Sequence, residues 1–501
     1  MGSVISYSDS FLSLLPPFLA IFMAILTRKV VSSLLLSIVI GLLMLADLDV
    51  AKSAHMFIDV FFLSISNEHV FLLLFLLALG VMTSVINFSG GTFAFSNWAA
   101  SRIKTKRSTS FLTVFLGITI FIDDYFNSLV VGNITKPIAD RNSLSRAKLA
   151  YFLDSTAAPI CVLTPISSWG AYVISILGGI LSTKGIDGNG LSLFLSIIPI
   201  NFYALFAISM IFIVLFFDFN IGSMRKHEAL ARERQISNID LPFDSKGRTA
   251  LSLIVPVSVL VILAFTLIFF TGWLNSSSKS IISIMSSADV NLSLFVSSLI
   301  ALLVAIFFAK DHIKSNSDII SEFVAGIKLM LPAVYILIAA WLFTEVIDKL
   351  QTGVFLSNLI KSFTSGFTMP AILFVASVVI SFATGTSFAT FSIMLPIAAD
   401  MVSTPDVDVL AIYMSAVLAG SVCGDHCSPI SDTTILSSTG AECPHIVHVE
   451  TQMPYVILCM FSSIISYVVL GLTSSTLISL LAGSSFLLSV SWMLFLYYRK
   501  K

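Results

Sequence analysis

CGDHCSPISDTT, residues 423–434, is the stretch on which the fold turns. Apolar LAIYMSAVLAGSV (410–422) runs into it, and PYVILCMFSSIISYVVLGL (454–472) follows beyond a short polar loop. Two carboxylates, an imidazole, two thiols and a row of hydroxyls therefore stand where a membrane helix is due. Polar, unwound backbone is tolerated at membrane depth only where protein or a wet cavity surrounds it. The stretch predicts a broken helix lining a pathway.

The rest of the chain supports a membrane setting. Of 501 residues, 57% are hydrophobic and 11% charged, too little charge to cover a soluble surface of this size. The lipid bilayer is the expected solvent. The net charge of −1 gives no reason to expect a nucleic-acid partner. Cys161, Cys423, Cys427, Cys443 and Cys459 are scattered and odd in number, unlike a secreted disulfide framework. The first apolar run, FLSLLPPFLAIFMAIL (11–26), continues into the next, as a first membrane helix does and a cleavable leader does not.

Simple crossings are predicted near 11–27, 30–46, 70–87, 191–217, 249–272, 291–309, 321–347, 455–474 and 476–497. Three polar-interrupted stretches, 109–138, 146–181 and 370–445, are threaded by charge, because Lys and Arg concentrate in cytoplasmic loops. Arg28 and Lys29 place the first loop inside and the N-terminus outside; 47–69 is then an external loop. Lys136, Arg141, Arg146 and Lys148 stay inside only if 109–138 is a re-entrant hairpin, turning at DDYFNS (123–128). The stretch 146–181 then crosses once with a break. A second hairpin, 370–402, turns at TGTSFAT (384–390) and enters from outside, and 409–441 crosses once, broken at the opening motif. Of the 27 Lys and Arg, only Lys52, Lys184, Lys279, Lys349 and Lys361 then lie outside, and Lys328 within a span. The expected fold is an all-α polytopic membrane protein with about eleven crossings, two re-entrant hairpins and a cytoplasmic C-terminus.

The interrupted regions repeat. KPIAD (136–140) ends the first hairpin and LPIAAD (395–400) the second; TPISS (164–168) lies in the first broken span and SPISD (428–432) in the second. The order is the same and the entry side opposite, which predicts two inverted repeats: 1–217 and 249–501, joined by a cytoplasmic linker at 218–248. Inverted repeats with discontinuous helices are the architecture of secondary transporters, with the substrate site at the midplane.

Sodium is a hard cation that takes oxygen ligands from carboxylates, hydroxyls and freed carbonyls. The first tip offers Asp123, Asp124 and Asn127; the first break Asp154, Ser155 and Thr156; the second tip Thr386 and Ser387; the second break Asp425, His426, Ser428, Asp432 and Thr433. Asp124, Asp154, Asp425 and Asp432 are the principal candidates to hold Na+. Burial makes protonation of such a carboxylate compete with sodium, so one pocket can load Na+ or H+, and no cofactor is needed.

Blander roles are open to the same residues. Asp154 and Asp432 can cap half-helices, Asp123 and Asp124 can stabilise a turn, His426 can be a hydrogen-bonded core residue, and hydroxyls can bond backwards to carbonyls. Lys328 and Glu345, near the ends of a span, can snorkel. Cys423, His426 and Cys427 with Cys443, His445 and His448 do not make a usual zinc spacing, and His445 and His448 fall in the loop after the span. No G-x-S-x-G, H-E-x-x-H or Walker loop occurs, which argues against a protease or an ATP-driven pump.

FIDDYFNSLVVGNITKPIADRNSLSRAKLAYFLDSTAAPICVLTPISSW (121–169) and GSVCGDHCSPISDTTILSSTGA (420–441) resemble the signature regions of the NhaC-type Na+/H+ antiporters. The resemblance implies a bacterial plasma-membrane protein, commonly dimeric, with a scaffold part and a mobile transport part. The same family includes exchangers of small organic acids such as malate and lactate and transporters of amino acids, so it fixes the class better than the substrate. It implies exchange of cytoplasmic Na+ for external H+, with an organic acid or amino acid as the alternative substrate. It carries over the DDYFN, DSTAAP and GDHCSPISDTT positions as candidates without a ligand assignment.

Overall fold

The computed structural model describes residues 7–499 apart from 28, 66, 101, 122, 166, 187–188, 238–248, 277–279, 314, 362–365 and 403–405. Ile166 of TPISS, Lys279 and the second part of the expected linker lie outside the described residues. Among the described residues every regular element is helical, so the chain is an all-α polytopic membrane protein.

The first repeat region is preceded by α1 (Leu15–Thr27), α2 (Val30–Leu45), α3 (Val50–Ser64), α4 (Asn67–Phe88) and α5 (Gly91–Ala100). The first hairpin is α6 (Lys106–Thr119) and α7 (Asp124–Arg141). The first broken helix is α8 (Arg146–Thr156), α9 (Ala158–Cys161) and α10 (Ser168–Lys184). Next come α11 (Gly190–Ile197), α12 (Phe202–Phe217), α13 (Met224–Ser237), α14 (Leu251–Asn275), α15 (Ile281–Ser286), α16 (Val290–Ala309), α17 (Asn316–Lys349) and α18 (Thr352–Lys361). The second hairpin is α19 (Met369–Thr384) and α20 (Ser387–Asp400), and the second broken helix is α21 (Val407–Cys427) and α22 (Asp432–Gly440). Helices α23 (His445–Thr473) and α24 (Thr476–Arg499) close the chain.

Among the described residues, seven helices are long and apolar enough to cross a membrane, or up to nine if each of two bent pairs is one span. This is fewer than the eleven crossings expected. Helix α1 has 13 residues, and the pieces of the first broken helix have 11, 4 and 17 residues, each too short to count alone. The supposed external loop 47–69 holds α3, which turns back from α2 by 118°. It buries Ser53, Val60 and Ser64 and exposes Phe57, Ile58 and Phe62, an amphipathic helix lying on its neighbours. The expected linker likewise begins as a helix, α13, whose Glu228 is buried.

Ion pairs tie each hairpin base to the first broken helix. At the first hairpin base Arg146 forks onto Asp140 and reaches Glu442, which also pairs with Lys136; the base of the first hairpin, the start of α8 and the end of α22 therefore meet. Burial alone would raise the Glu442 carboxyl, but Lys136 and Arg146 beside it hold it below its usual range. Asp218 is bonded by Lys106, Lys148 and Arg232, and Glu228 accepts the Ser145 N–H at 2.9 Å. At the second hairpin base, Lys184 at the end of α10 pairs with Asp400 (3.0 Å).

The hairpin and the broken helix of opposite regions touch without side chains between them. A Cβ on Gly132 of α7 would lie 2.6 Å from the Gly440 backbone of α22, and one on Gly440 would lie 2.4 Å from the Ser128 carbonyl. Backbone cannot yield as a side-chain end can, so Gly132→Val is expected to cost about 3 kcal/mol by overpacking. Thermal unfolding of the detergent-purified variant is the measurement; an unchanged midpoint would mean that the helices do not approach so closely.

Candidate functional site

Both tips and both breaks converge. Each contributes a helix C-terminus and a helix N-terminus: α6 and α7, α8 and α10, α19 and α20, α21 and α22. Partial positive charge at N-termini and free carbonyls at C-termini give such a meeting point sites for both signs of charge. It also accounts for carboxylates at this depth: Asp123 caps α7, Asp124 opens it, and Asp432 opens α22 after its cap Ser431.

The helices extend further than the sequence suggested. The first tip is residues 120–123, so Asp124 to Ser128 are helical. Asp154-Ser155-Thr156 form the last turn of α8 and the main gap runs over 162–167. In the opening motif Gly424 to Cys427 are the end of α21 and Asp432-Thr433-Thr434 the start of α22, so only Ser428-Pro429-Ile430-Ser431 are unwound. Tertiary bonds explain the difference: Asp425 sits under Ser387 of the other tip, and a full turn of helix aims it there. At the second tip Gly385 is left-handed (φ +71°), and its Cβ would meet the Ile430 carbonyl at 2.8 Å, so only glycine lets tip and break touch.

The expected ligand residues divide into three groups. Asp123, Asp124, Thr386 and Asp432 line one cavity of about 910 Å³ between this centre and helices α4, α15 and α17. Asp123 is occupied structurally: one oxygen accepts the Phe126 N–H and the other the Ser168 hydroxyl. Asp124 accepts the Trp169 indole N–H at 2.9 Å on one oxygen, and its other oxygen, buried, has no partner. The Tyr125 hydroxyl donates to Asp432.

Asp425 and Ser387 form the second group. One Asp425 oxygen accepts both the Ser387 N–H (3.2 Å) and its hydroxyl (2.7 Å); the other is buried without a partner. Asp432 lies within electrostatic reach of both Asp124 and Asp425. The Asn127 amide ties the arms of the first hairpin to each other and to the end of α8, its two N–H groups shared among the Gly117, Ile120 and Thr156 carbonyls, while its own side-chain oxygen is unpartnered.

Asp154 belongs to a third group, away from the cavity lining. It sits at the end of α8 rather than at a cap, and accepts from His448 (3.0 Å), Gln452 (2.7 Å) and Ser437 (3.3 Å). Gln452 also donates to the His426 carbonyl, and the His426 ring bonds Tyr203 (2.7 Å) and Ser155 (3.2 Å). The reading of His426 as a bonded core residue thus fits its geometry. Thr156 bonds back to Phe152, Ser428 to Phe382, and Thr433 pairs with Ser431. Lys328 is exposed, as a snorkelling residue would be, whereas Glu345 lines the cavity.

His445 and His448 are not in a loop; they begin α23, and His448 is fully buried against Asp154. His448, Gln452, Tyr203, Tyr125 and Trp169 were missed as candidates. His448 and Gln452 are four residues apart, one face of a helix, and that spacing is the signal that could have found them. Among the described residues no group of three or more His, Cys, Asp or Glu is arranged to hold a metal ion, and the five cysteines are free and buried.

A second hollow of about 470 Å³ is lined by Lys29, Val31, Ser32, Ile336 and Pro444 to Val447, on the side of Glu442. His445 lines it and bonds the Pro429 carbonyl (2.8 Å), whereas Ile430 and Asp432 line the larger cavity. His445 thus links the smaller hollow to the unwound residues of the second break, whose Ile430 lines the larger one.

The sequence profile described as the Na+/H+ antiporter family matches residues 160–472, more than half of the chain. The chain belongs to the Na+/H+ antiporter family. It is a transporter, a multi-pass membrane protein whose substrates are ions or small molecules. An uncharacterized protein of Haemophilus influenzae is 42% identical over 485 residues, 95% of this chain and 93% of that one. Two solved structures align at low scores. The YdaH transporter of Alcanivorax borkumensis has TM-score 0.34 and 14% identity, covering 84% of this chain and 89% of that one. MtrF of Neisseria gonorrhoeae has TM-score 0.35 and 12% identity, covering 85% of each.

Proposed function

We propose that this antiporter-family protein exchanges cytoplasmic Na+ for external H+. The observation that carries the reading is the set of buried acceptor oxygens without partners at the meeting of tips and breaks: Asp124 Oδ2, Asp425 Oδ1, Asn127 Oδ1 and Thr434 Oγ1. Buried polar atoms are nearly always satisfied, and bare oxygens around Asp432 and the two carboxylates on either side of it, Asp124 and Asp425, suit a cation that is loaded and released. Asp124, Asp425 and Asp432 are the sodium group in this reading. Asp154, already holding three donors, supports the fold of the second break and is not among the residues lining the cavity.

Alternating access follows if the two hairpins and broken helices move as a unit against the remaining helices, exposing the unwound residues 428–431 first to one hollow and then to the other. The setting is a bacterial plasma membrane, N-terminus outside and C-terminus inside, with the chain paired as a homodimer.

In everted vesicles holding a preformed acid interior, a Na+ pulse is expected to discharge the pH gradient, saturably and only with the protein present. An unchanged pH signal alongside uptake of a labelled carboxylate or amino acid would replace this reading by the organic-solute one. The volume of the larger cavity is the observation that keeps an organic solute in view.

A further inference from the structure

The larger cavity is out of scale with its supposed cargo. A water's share of liquid is about 30 Å³, so a sodium ion with a few waters fills a small part of the 910 Å³. Pockets of about 300–1,000 Å³ are those that hold small organic molecules.

Its walls say which kind. Carboxylates of Asp124, Asp432, Asp289 and Glu345 face it, and among the described residues that line it there is no lysine or arginine. Aromatic faces complete it on two sides. Trp169 and Tyr172 pack on Phe388 at ring separations of 4.8 and 4.9 Å, and across the cavity Trp341 stacks on His69 at 4.0 Å. Asp124, buried and with one oxygen unpartnered, is the acceptor at the inner end. The strong donors at that end are already spent on protein carboxylates: the Trp169 N–H on Asp124, the Tyr125 hydroxyl on Asp432, and the Ser387 N–H on Asp425. At that inner end a substrate carboxylate would face Asp124 and Asp432, whose own donors are already engaged. A protonated amine would find acceptors and aromatic faces, the environment in which cations are held by both charge and ring quadrupole.

We propose that the cavity binds an organic ammonium ion, a protonated amine bearing one apolar or aromatic group and no carboxylate, with the ammonium at Asp124 and the apolar group between Phe388 and Trp341. The proposal rests on the reading of this cavity as the transport site, and it makes the amine a competitor of Na+ there.

Binding of tritiated tyramine to the purified full-length protein, in Na+-free buffer near pH 7 where the amine is protonated, is the test. Tyrosine and 3-(4-hydroxyphenyl)propionate carry the same ring as a zwitterion and an anion. Tyramine is expected to bind saturably, to be displaced by Na+, and to bind at least about tenfold more tightly than either relative. Trp341→Ala is expected to weaken tyramine about tenfold, and Glu345→Gln, at a partly exposed position, gives a second reading if the first variant does not fold. A preparation that exchanges Na+ for H+ but binds no tyramine overturns the proposal and leaves the exchange reading intact. Tyrosine binding as tightly as tyramine also overturns it. Saturable tyramine binding in a protein without Na+-driven proton movement upholds the cavity assignment and overturns sodium exchange.

Discussion

Asp425→Asn is expected to lower Na+-driven proton exchange by at least about a hundredfold, a loss of about 2.7 kcal/mol in the limiting step. Asparagine is isosteric, so Ser387 keeps an acceptor for its N–H and hydroxyl and the contact between tip and break survives. What changes is the oxygen that has no partner. In the wild type that position offers a charge and an acceptor; in the variant the side chain is neutral, and the amide can turn a donor towards a cation. Losing one full charge from a low-dielectric cation site removes several kcal/mol of attraction, and the site can no longer take up a proton in exchange. The measurement is the Na+-dependent pH recovery in everted vesicles, normalised to protein in the membrane. Retention of more than about a tenth of the wild-type rate would place the exchanging carboxylate elsewhere, with Asp124 and Asp432 next in line. Ser387→Ala leaves the charge and removes only its hydroxyl donor, so a much smaller loss is expected there.

The order of hairpin, hairpin base and broken helix was legible because each polar interruption falls inside an apolar run, where lipid tolerates no exposed backbone. The ends of the helices were not legible. Gly424, Asp425 and His426 look like an unwound stretch along the chain, yet they continue α21 because their bonding partners come from Ser387, Ser155 and Tyr203. The acidic group around Asp124 could be read from residue type, since carboxylates at midplane must face something polar. The separation of Asp154 from that group could not, because it depends on His448 and Gln452, which lie 294 and 298 residues away. Helix α13 was hidden by its run of charged residues, and α3 by the Lys52, His55 and Asp59 that interrupt its apolar residues, when only apolar runs are sought.

That separation makes Asp154 the residue whose two possible roles predict different outcomes. His448→Leu removes a donor from a carboxylate that is fully buried, leaving Gln452 and Ser437 to hold the charge. Breaking one side of such a buried pair costs about 3–5 kcal/mol, and the two donors that are left favour the lower figure. A drop in thermal unfolding midpoint of the purified variant is therefore expected. Adding Asp154→Asn in the same chain neutralises the stranded charge, and most of the lost stability is expected to return. The exchange rate of this double variant then decides the role. If Asp154 only braces the break, the stable double variant exchanges Na+ within about tenfold of the wild type. If it is a sodium ligand, exchange stays absent although the fold has recovered, because the carboxylate it needs is gone. The two readouts recover together only under the bracing role and part company if Asp154 is a ligand, so a stability gain alone cannot be mistaken for function. We expect the bracing outcome, because a carboxylate already holding three donors has little left to offer a cation.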